Sequence, residues 1–247
     1  MGHPDRAAAQ VEYFVRRPEG PAPWPTIVFL HGHQGGASQP GGSVFAEWGV
    51  LDRYADQGYL AVAVSLPGYG RSDGPADFAG PYTQSAVKAV LARLETDGQA
   101  SPGRALLHGV SLGAVTAGLI AADDPEIDAL VLISGVYDLP AFFALPRTPA
   151  ASAIRTVALQ QVGDSPDALQ SRSVLPRASE IKAAALILNG GKDDRTDPVQ
   201  ARRLAEALTR EGITAKAIIY KQYGHEIPVA ARQAEIDRFI ASNFPPS

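Results

Sequence analysis

The sequence predicts an α/β protein built on a mostly parallel sheet with helices on both faces. Three observations carry that prediction. Continuous apolar runs of strand length, at 26–30, 60–66 and 129–134, suit strands buried on both sides. These runs alternate with helical patterns, which implies right-handed crossovers between parallel neighbours. Residues 104–122 read as strand, sharp turn and helix, with a serine at the apex of Gly109-Val110-Ser111-Leu112-Gly113.

Residues 11–17 are rich in strand formers and end in the breaker Pro18-Glu19-Gly20-Pro21. This first strand is expected at an antiparallel edge. The run at 26–30 empties into His31-Gly32-His33-Gln34-Gly35-Gly36, a loop too flexible to be there for stability. Residues 45–57 are expected to form a helix closed by Gly58, and Pro67-Gly68 stops the strand at 60–66. Residues 83–97 place Val87, Val90, Leu91 and Leu94 at helical spacing, with Gly98 ending the pattern. The small-residue helix after Ser111 breaks at Asp123-Asp124-Pro125. Residues 135–183 are less regular, with Phe142, Phe143 and Leu145 among prolines. A strand at 184–188, a helix at 198–210 opened by Pro198, a strand at 216–220 and a closing helix at 229–244 complete the chain.

The 247 residues are expected to form one domain, 1–247. A net charge of −4 without a basic cluster argues against nucleic acid as a partner. No apolar stretch approaches the roughly 20 residues that span a bilayer. The N-terminus has no apolar stretch resembling a secretion signal, so a cytoplasmic location is expected. The absence of cysteine excludes disulfides and a thiolate nucleophile.

A bare Gly-x-Ser-x-Gly match is weak, and the chain contains a second, Gly70-Arg71-Ser72-Asp73-Gly74. No strand runs directly into it and no helical pattern follows, so it reads as a loop. Around Ser111 the strand–turn–helix context favours a nucleophile. The helix beginning at Leu112 aims its free N–H groups and positive dipole end at any anion formed there.

A serine needs a base to take its proton. Of five histidines, His3 sits on a terminus expected to fray, and His108 ends the elbow strand pointing away from the hydroxyl. His31 and His33 lie in the loop after the central strand. His225, in Tyr223-Gly224-His225-Glu226-Ile227-Pro228, is free to project its ring over the elbow and is the best base. A carboxylate must orient that base. The loop Asn189-Gly190-Gly191-Lys192-Asp193-Asp194-Arg195 offers two, one to orient His225 and the other solvated or near the next helix N-terminus.

Together, His31-Gly32-His33, Gly109 to Gly113, Gly190-Gly191-Lys192-Asp193 and Gly224-His225, each after a strand, resemble an α/β-hydrolase over essentially the whole length. Within that superfamily, Ser134-Gly135-Val136-Tyr137-Asp138-Leu139 and the segment ending Lys192-Asp193-Asp194-Arg195 are similar to prolyl-oligopeptidase-like hydrolases and related esterases. The resemblance implies a sheet of about eight strands with a small lid at 135–183. It implies Ser111 as nucleophile, His225 as base and Asp193 as acid, with Asp194 in reserve. The backbone N–H groups of Leu112 and His33 would form the oxyanion hole, each worth about 3 kcal/mol of barrier. The His33 side chain is expected to be solvated. Arg195 matches a position that holds a substrate carbonyl in the peptidases, and a surface ion pair with Asp194 or Asp197 is the competing expectation. Phe142 and Phe143, with Leu145 and Leu159, would line a substrate pocket or fill the core of the lid. The peptidases of the family carry an N-terminal β-propeller, for which this sequence shows no counterpart, so oligopeptide cleavage is not the first expectation. The expected activity is that of a carboxylesterase acting on small-molecule esters, with no cofactor and no metal. A peptidase or thioesterase using the same residues is the alternative, and a non-catalytic binding protein the reading from another class.

Overall fold

The computed structural model describes all residues except Gly36, Pro146, Arg147 and Ser247. Gly36 of the expected flexible loop therefore lies outside the described residues, as do two residues of the 135–183 segment. Among the described residues, nine strands appear in chain order: β1 (Gly2–His3), β2 (Arg6–Gln10), β3 (Tyr13–Arg16), β4 (Trp24–Leu30), β5 (Leu60–Val64), β6 (Ala100–Val110), β7 (Ile127–Ile133), β8 (Ala184–Gly190) and β9 (Ala215–Tyr220). Strands β3 to β9 form one seven-stranded sheet of order β3-β5-β4-β6-β7-β8-β9. Only β3 runs antiparallel, against β5, which is the expected edge placement. The other pairs are parallel, and β4, β5, β7 and β8 carry continuous apolar runs at 27–30, 60–64, 129–133 and 184–188 because both of their faces are covered.

The sheet thus has seven strands rather than about eight. The first ten residues instead make a separate antiparallel ribbon, β1 with β2. His3 does not fray. Its ring stacks on Tyr82 with centroids 3.6 Å apart, and its Nε2 lies 3.0 Å from the Tyr82 carbonyl oxygen.

One sheet face is covered by α3 (Pro81–Thr96), α4 (Leu112–Asp123) and α8 (Pro198–Arg210), which share a core with Val28, Leu107, Leu130 and Ile187. The other is covered by α1 (Ser43–Glu47), α2 (Val50–Ala55) and α9 (Val229–Asn243), around Phe29, Leu106, Val131 and Leu188. The single helix expected at 45–57 is two, because Gly49 takes a left-handed conformation (φ 67) between them. The alternation of these cores follows the pleat: neighbouring residues of one strand go to opposite faces.

The irregular stretch after β7 is helical: α5 (Leu139–Ala144), α6 (Pro149–Val162) and α7 (Pro166–Gln170), then a 3₁₀ turn at Leu175–Glu180. Each of these three helices begins with proline at its start and a side-chain cap, from Asp138, Thr148 and Ser165 respectively. Pro140, Pro149 and Pro166, which made the stretch look irregular, are therefore helix starts.

Candidate active site

Strand β6 delivers the chain to Ser111, whose backbone is strained at φ 52 and ψ −114 before α4 begins at Leu112. Two glycines let this turn close. A Cβ on Gly109 would collide with the backbone of Gly113 and Ala114, and one on Gly113 with the carbonyl oxygens of Leu30 and His31. The Ser111 N–H donates to the Ile133 carbonyl at 2.7 Å, fixing the apex to the neighbouring strand end.

Two further loops meet at this apex. The Ser111 hydroxyl oxygen lies 3.1 Å from His225 Nε2, and His225 Nδ1 lies 3.1 and 3.0 Å from the two carboxylate oxygens of Asp193. Since an ionised carboxylate only accepts, the hydrogen-bond pattern assigns the proton to Nδ1 and leaves Nε2 as acceptor for the serine hydroxyl. Asp193 is enclosed: it also accepts from Thr196 Oγ1 at 2.7 Å, the Thr196 and Arg195 N–H groups and Asn189 Nδ2. Burial pushes the Asp193 carboxyl up, but the hydrogen bond and attraction of His225, with the Thr196 hydrogen bonds, outweigh it and hold its pKa below the ordinary value.

The sequence reading missed how the histidine loop is held. Ser134, another left-handed non-glycine residue (φ 54), donates its hydroxyl to the His225 carbonyl at 2.9 Å. Gly190 packs against the Gly224 carbonyl so closely that any Cβ there would overlap it, so the two loops can touch. Nothing in the local sequence marks Ser134 for this task, since the contact spans 91 positions.

Among the described residues, no acceptor takes the N–H of Leu112 or of His33. Gly32 sits against the Ser111 side chain, which puts the His33 peptide beside the elbow. The loop is braced by His31, which donates from Nδ1 to the Gly32 carbonyl at 2.8 Å and accepts the Leu66 N–H at Nε2 at 3.0 Å. Burial lowers the His31 pKa to about 4, so this bracing ring is neutral near pH 7. The His33 residue is exposed, in keeping with a solvated side chain. Its Nδ1 lies 2.7 Å from the Tyr69 hydroxyl, and partial desolvation lowers its pKa.

The remaining candidates separate. Among the described residues, the exposed Asp194 gives only its carbonyl, to Thr148. Asp197 caps α8 by accepting the Val199 N–H. Arg195 pairs with neither; its Nη1 lies 3.6 Å from Glu226 Oε1, because the acid loop and the histidine loop run side by side. His108 points away from the serine, into the face shared with Phe29, whose ring centroid is 5.0 Å from its own.

One cavity of about 970 Å³ reaches Ser111, Leu112, His225, His33 and Arg195. The 135–183 segment lines it, but through Val136, Ala150, Ala153, Ile154 and Val157. Phe142 and Phe143 are turned away. Their rings carry the Arg155 guanidinium at 5.0 and 5.9 Å, and Arg155 also donates to the Phe142 and Leu145 carbonyls. Of the two expectations for these aromatics, packing beneath α6 is the one the structure realises. The cavity face of α6 was hidden because its residues are small and aliphatic. Among the described residues, no cluster of three or more His, Asp or Glu is placed to hold a metal ion, and no helix is long and apolar enough to cross a membrane.

The sequence pattern of the prolyl oligopeptidase family matches residues 53–244. The chain belongs to that family. It is similar to the uncharacterized peptidase YuxL of Bacillus subtilis (strain 168), at 26% identity over 224 residues, covering 85% of this chain and 32% of that protein. Its structure resembles acylaminoacyl peptidase of Pyrococcus horikoshii, with a TM-score of 0.77 at 18% identity over 96% of this chain and 42% of the other. It also resembles acetyl xylan esterase of Paenibacillus sp. R4, with a TM-score of 0.66 at 16% identity over 94% of this chain and 79% of the other. At such identities the structural likenesses show the α/β-hydrolase fold. The chain spans 32% and 42% of the two peptidases. Family and fold together are those of the α/β-hydrolase type.

Proposed function

We propose that the protein is a serine hydrolase that cleaves carboxylic esters through an acyl-enzyme. The observation that carries this is the unbroken Ser111–His225–Asp193 hydrogen-bond chain at the strained elbow. Ser111 attacks the ester carbonyl while His225 Nε2 takes its proton, and Asp193 stabilises the resulting imidazolium through Nδ1. The N–H groups of Leu112 and His33 receive the oxyanion. His225 then protonates the departing alcohol, and water repeats the sequence to release the acid. Residues 135–183 act as a small lid, with the aliphatic face of α6 contacting the acyl group.

The ester reading is supported by that aliphatic lining, and by the mutual pairing of Arg195 and Glu226, which leaves neither charge wholly free beside the elbow. Peptide cleavage by the same residues is the second reading, favoured by the family match and by the peptidases among its relatives. The test is kcat/KM over p-nitrophenyl esters from acetate to palmitate, beside matched anilides and thioesters, with Ser111→Ala as blank. Ester turnover is expected to exceed anilide turnover, and Ser111→Ala to lower it by about 10⁴-fold or more while the protein stays folded. Unchanged turnover in Ser111→Ala would overturn the nucleophile assignment, and a preference for anilides would overturn the ester reading.

A further inference from the structure

The cavity that opens on Ser111 does not end there. Past the strand ends at Val110 and Ile133 it continues onto the opposite sheet face, into a chamber between α1, α2 and the start of α9. Phe45, Trp48, Val50 and Ile227 make its walls apolar. Three polar groups in it have nothing to do with the serine chemistry.

His108 is 6% exposed, and its Nδ1 is buried with no hydrogen-bond partner. Leaving such a group unsatisfied costs about 1–3 kcal/mol, so its persistence asks for a ligand. Burial, reinforced by the positive charge of Arg232, lowers the His108 pKa to about 3, which keeps the ring neutral and places the guanidinium near it. Arg232 itself lines the chamber and is half-buried. Its Nε donates to the Ile227 carbonyl at 3.1 Å, but among the described residues no hydrogen bond or ion pair engages its Nη atoms. Glu235, the carboxylate nearest in sequence, pairs with Lys216 and Arg238, and Glu226 is turned toward Arg195 and is 85% exposed. Asp237 is taken by Arg53 and Gln233. Tyr54, 2% exposed, accepts Gln233 Nε2 at its hydroxyl oxygen and keeps its own proton to give. An unpaired guanidinium in an apolar chamber is costly unless an anion joins it.

We propose that this chamber is a carboxylate-binding subsite, in which Arg232, with Tyr54 and His108 beside it, takes the free carboxylate of an amphipathic substrate whose ester reaches Ser111. His108 lies on β6 three residues before the turn at Ser111, a span of about 10 Å of extended chain. A medium-length aliphatic or aromatic spacer bridges that distance along the apolar wall. The preferred substrates are then esters carrying a second, ionised carboxylate. Naming the ligand as substrate rests on the ester-hydrolase reading; the carboxylate site itself does not.

The experiment is a binding titration of octanoate against neutral octanamide, read by the fluorescence of Trp48 on the chamber wall, with Trp48→Phe as the signal control. Octanoate is expected to bind at least about tenfold more tightly than octanamide. Arg232→Met is expected to erase that ratio, Arg232→Lys to keep part of it, and Ser111→Ala to leave it intact. Equal binding of the two probes, no saturable binding of octanoate, or an undiminished ratio in a folded Arg232→Met protein would overturn the proposal. A charge-dependent site in a protein without Ser111-dependent ester turnover would leave the subsite standing and remove the hydrolase reading. Ester turnover with no carboxylate preference would do the reverse.

Discussion

Two turns of this chain share the pattern Gly-x-Ser-x-Gly, and their serines are held in opposite ways. In the first, Ser72 is buried, and both of its hydrogen-bonding roles are filled: the hydroxyl donates to the Ser65 carbonyl at 2.6 Å and accepts the Glu12 N–H at 2.9 Å. In the second, Ser111 bears the backbone strain itself and presents its hydroxyl to His225 at 3.1 Å. The glycines differ as much. Gly70 and Gly74 take positive φ (57 and 101), the conformational freedom of a loop. Gly109 and Gly113 do not; they are glycine because a strand and a helix pass too closely for a side chain. The letters of a motif therefore report nothing until the elements on either side are known. A serine fixed by two backbone groups is a staple, and a serine strained toward one base is positioned to react.

The largest effect that would sharpen this contrast lies behind Ser111. Asp193→Asn is expected to lower kcat on p-nitrophenyl acetate about 10⁴-fold, because the amide favours the wrong imidazole tautomer. Asp194→Asn is expected to leave kcat/KM unchanged. If the Asp194 change is the crippling one, the acid has been misassigned. Next comes Gly113→Ala, whose methyl group would press on the backbone carbonyls of Leu30 and His31. It is expected to cost about 3 kcal/mol or more in urea unfolding, with activity falling alongside. Retained stability there would mean that the elbow yields more than its packing suggests. The smallest effect belongs to the other turn. Ser72→Ala strips the Glu12 N–H of its acceptor and should cost about 1–3 kcal/mol of stability while kcat/KM stays at the wild-type value. A selective loss of activity in that variant would erase the distinction between the two turns.

Much of the fold was legible because its signals are local. The strand runs at 26–30 and 60–66 need no partner to be recognised, since burial on both faces removes the polar alternation that would otherwise interrupt them. The helix at 198–210 was readable to the residue, with Pro198 at its start. The site was legible where the chain order Ser111, Asp193, His225 matched the loops after strands. The misses are of another kind. His3 was taken for a fraying end and is instead stacked on Tyr82, 79 positions away. Phe142 and Phe143 fit a pocket wall and a lid core equally well in the sequence, and Arg155 draws them inward.

By itself the sequence determined which segments are strands and helices, where the chain turns, and which serine, histidine and acidic loop were candidates. Periodicity, turn residues and motif context are properties of short stretches, and short stretches carry them whole. Only the tertiary structure decided which side chains share a space. It brought Asp193, which the resemblance already favoured, to 3.0 Å from His225, set Ser134 to hold the histidine loop, and joined the elbow to a chamber containing His108 and Arg232. Contacts across 91 or 114 positions depend on how seven strands are ordered and twisted, and that geometry is written nowhere along the chain.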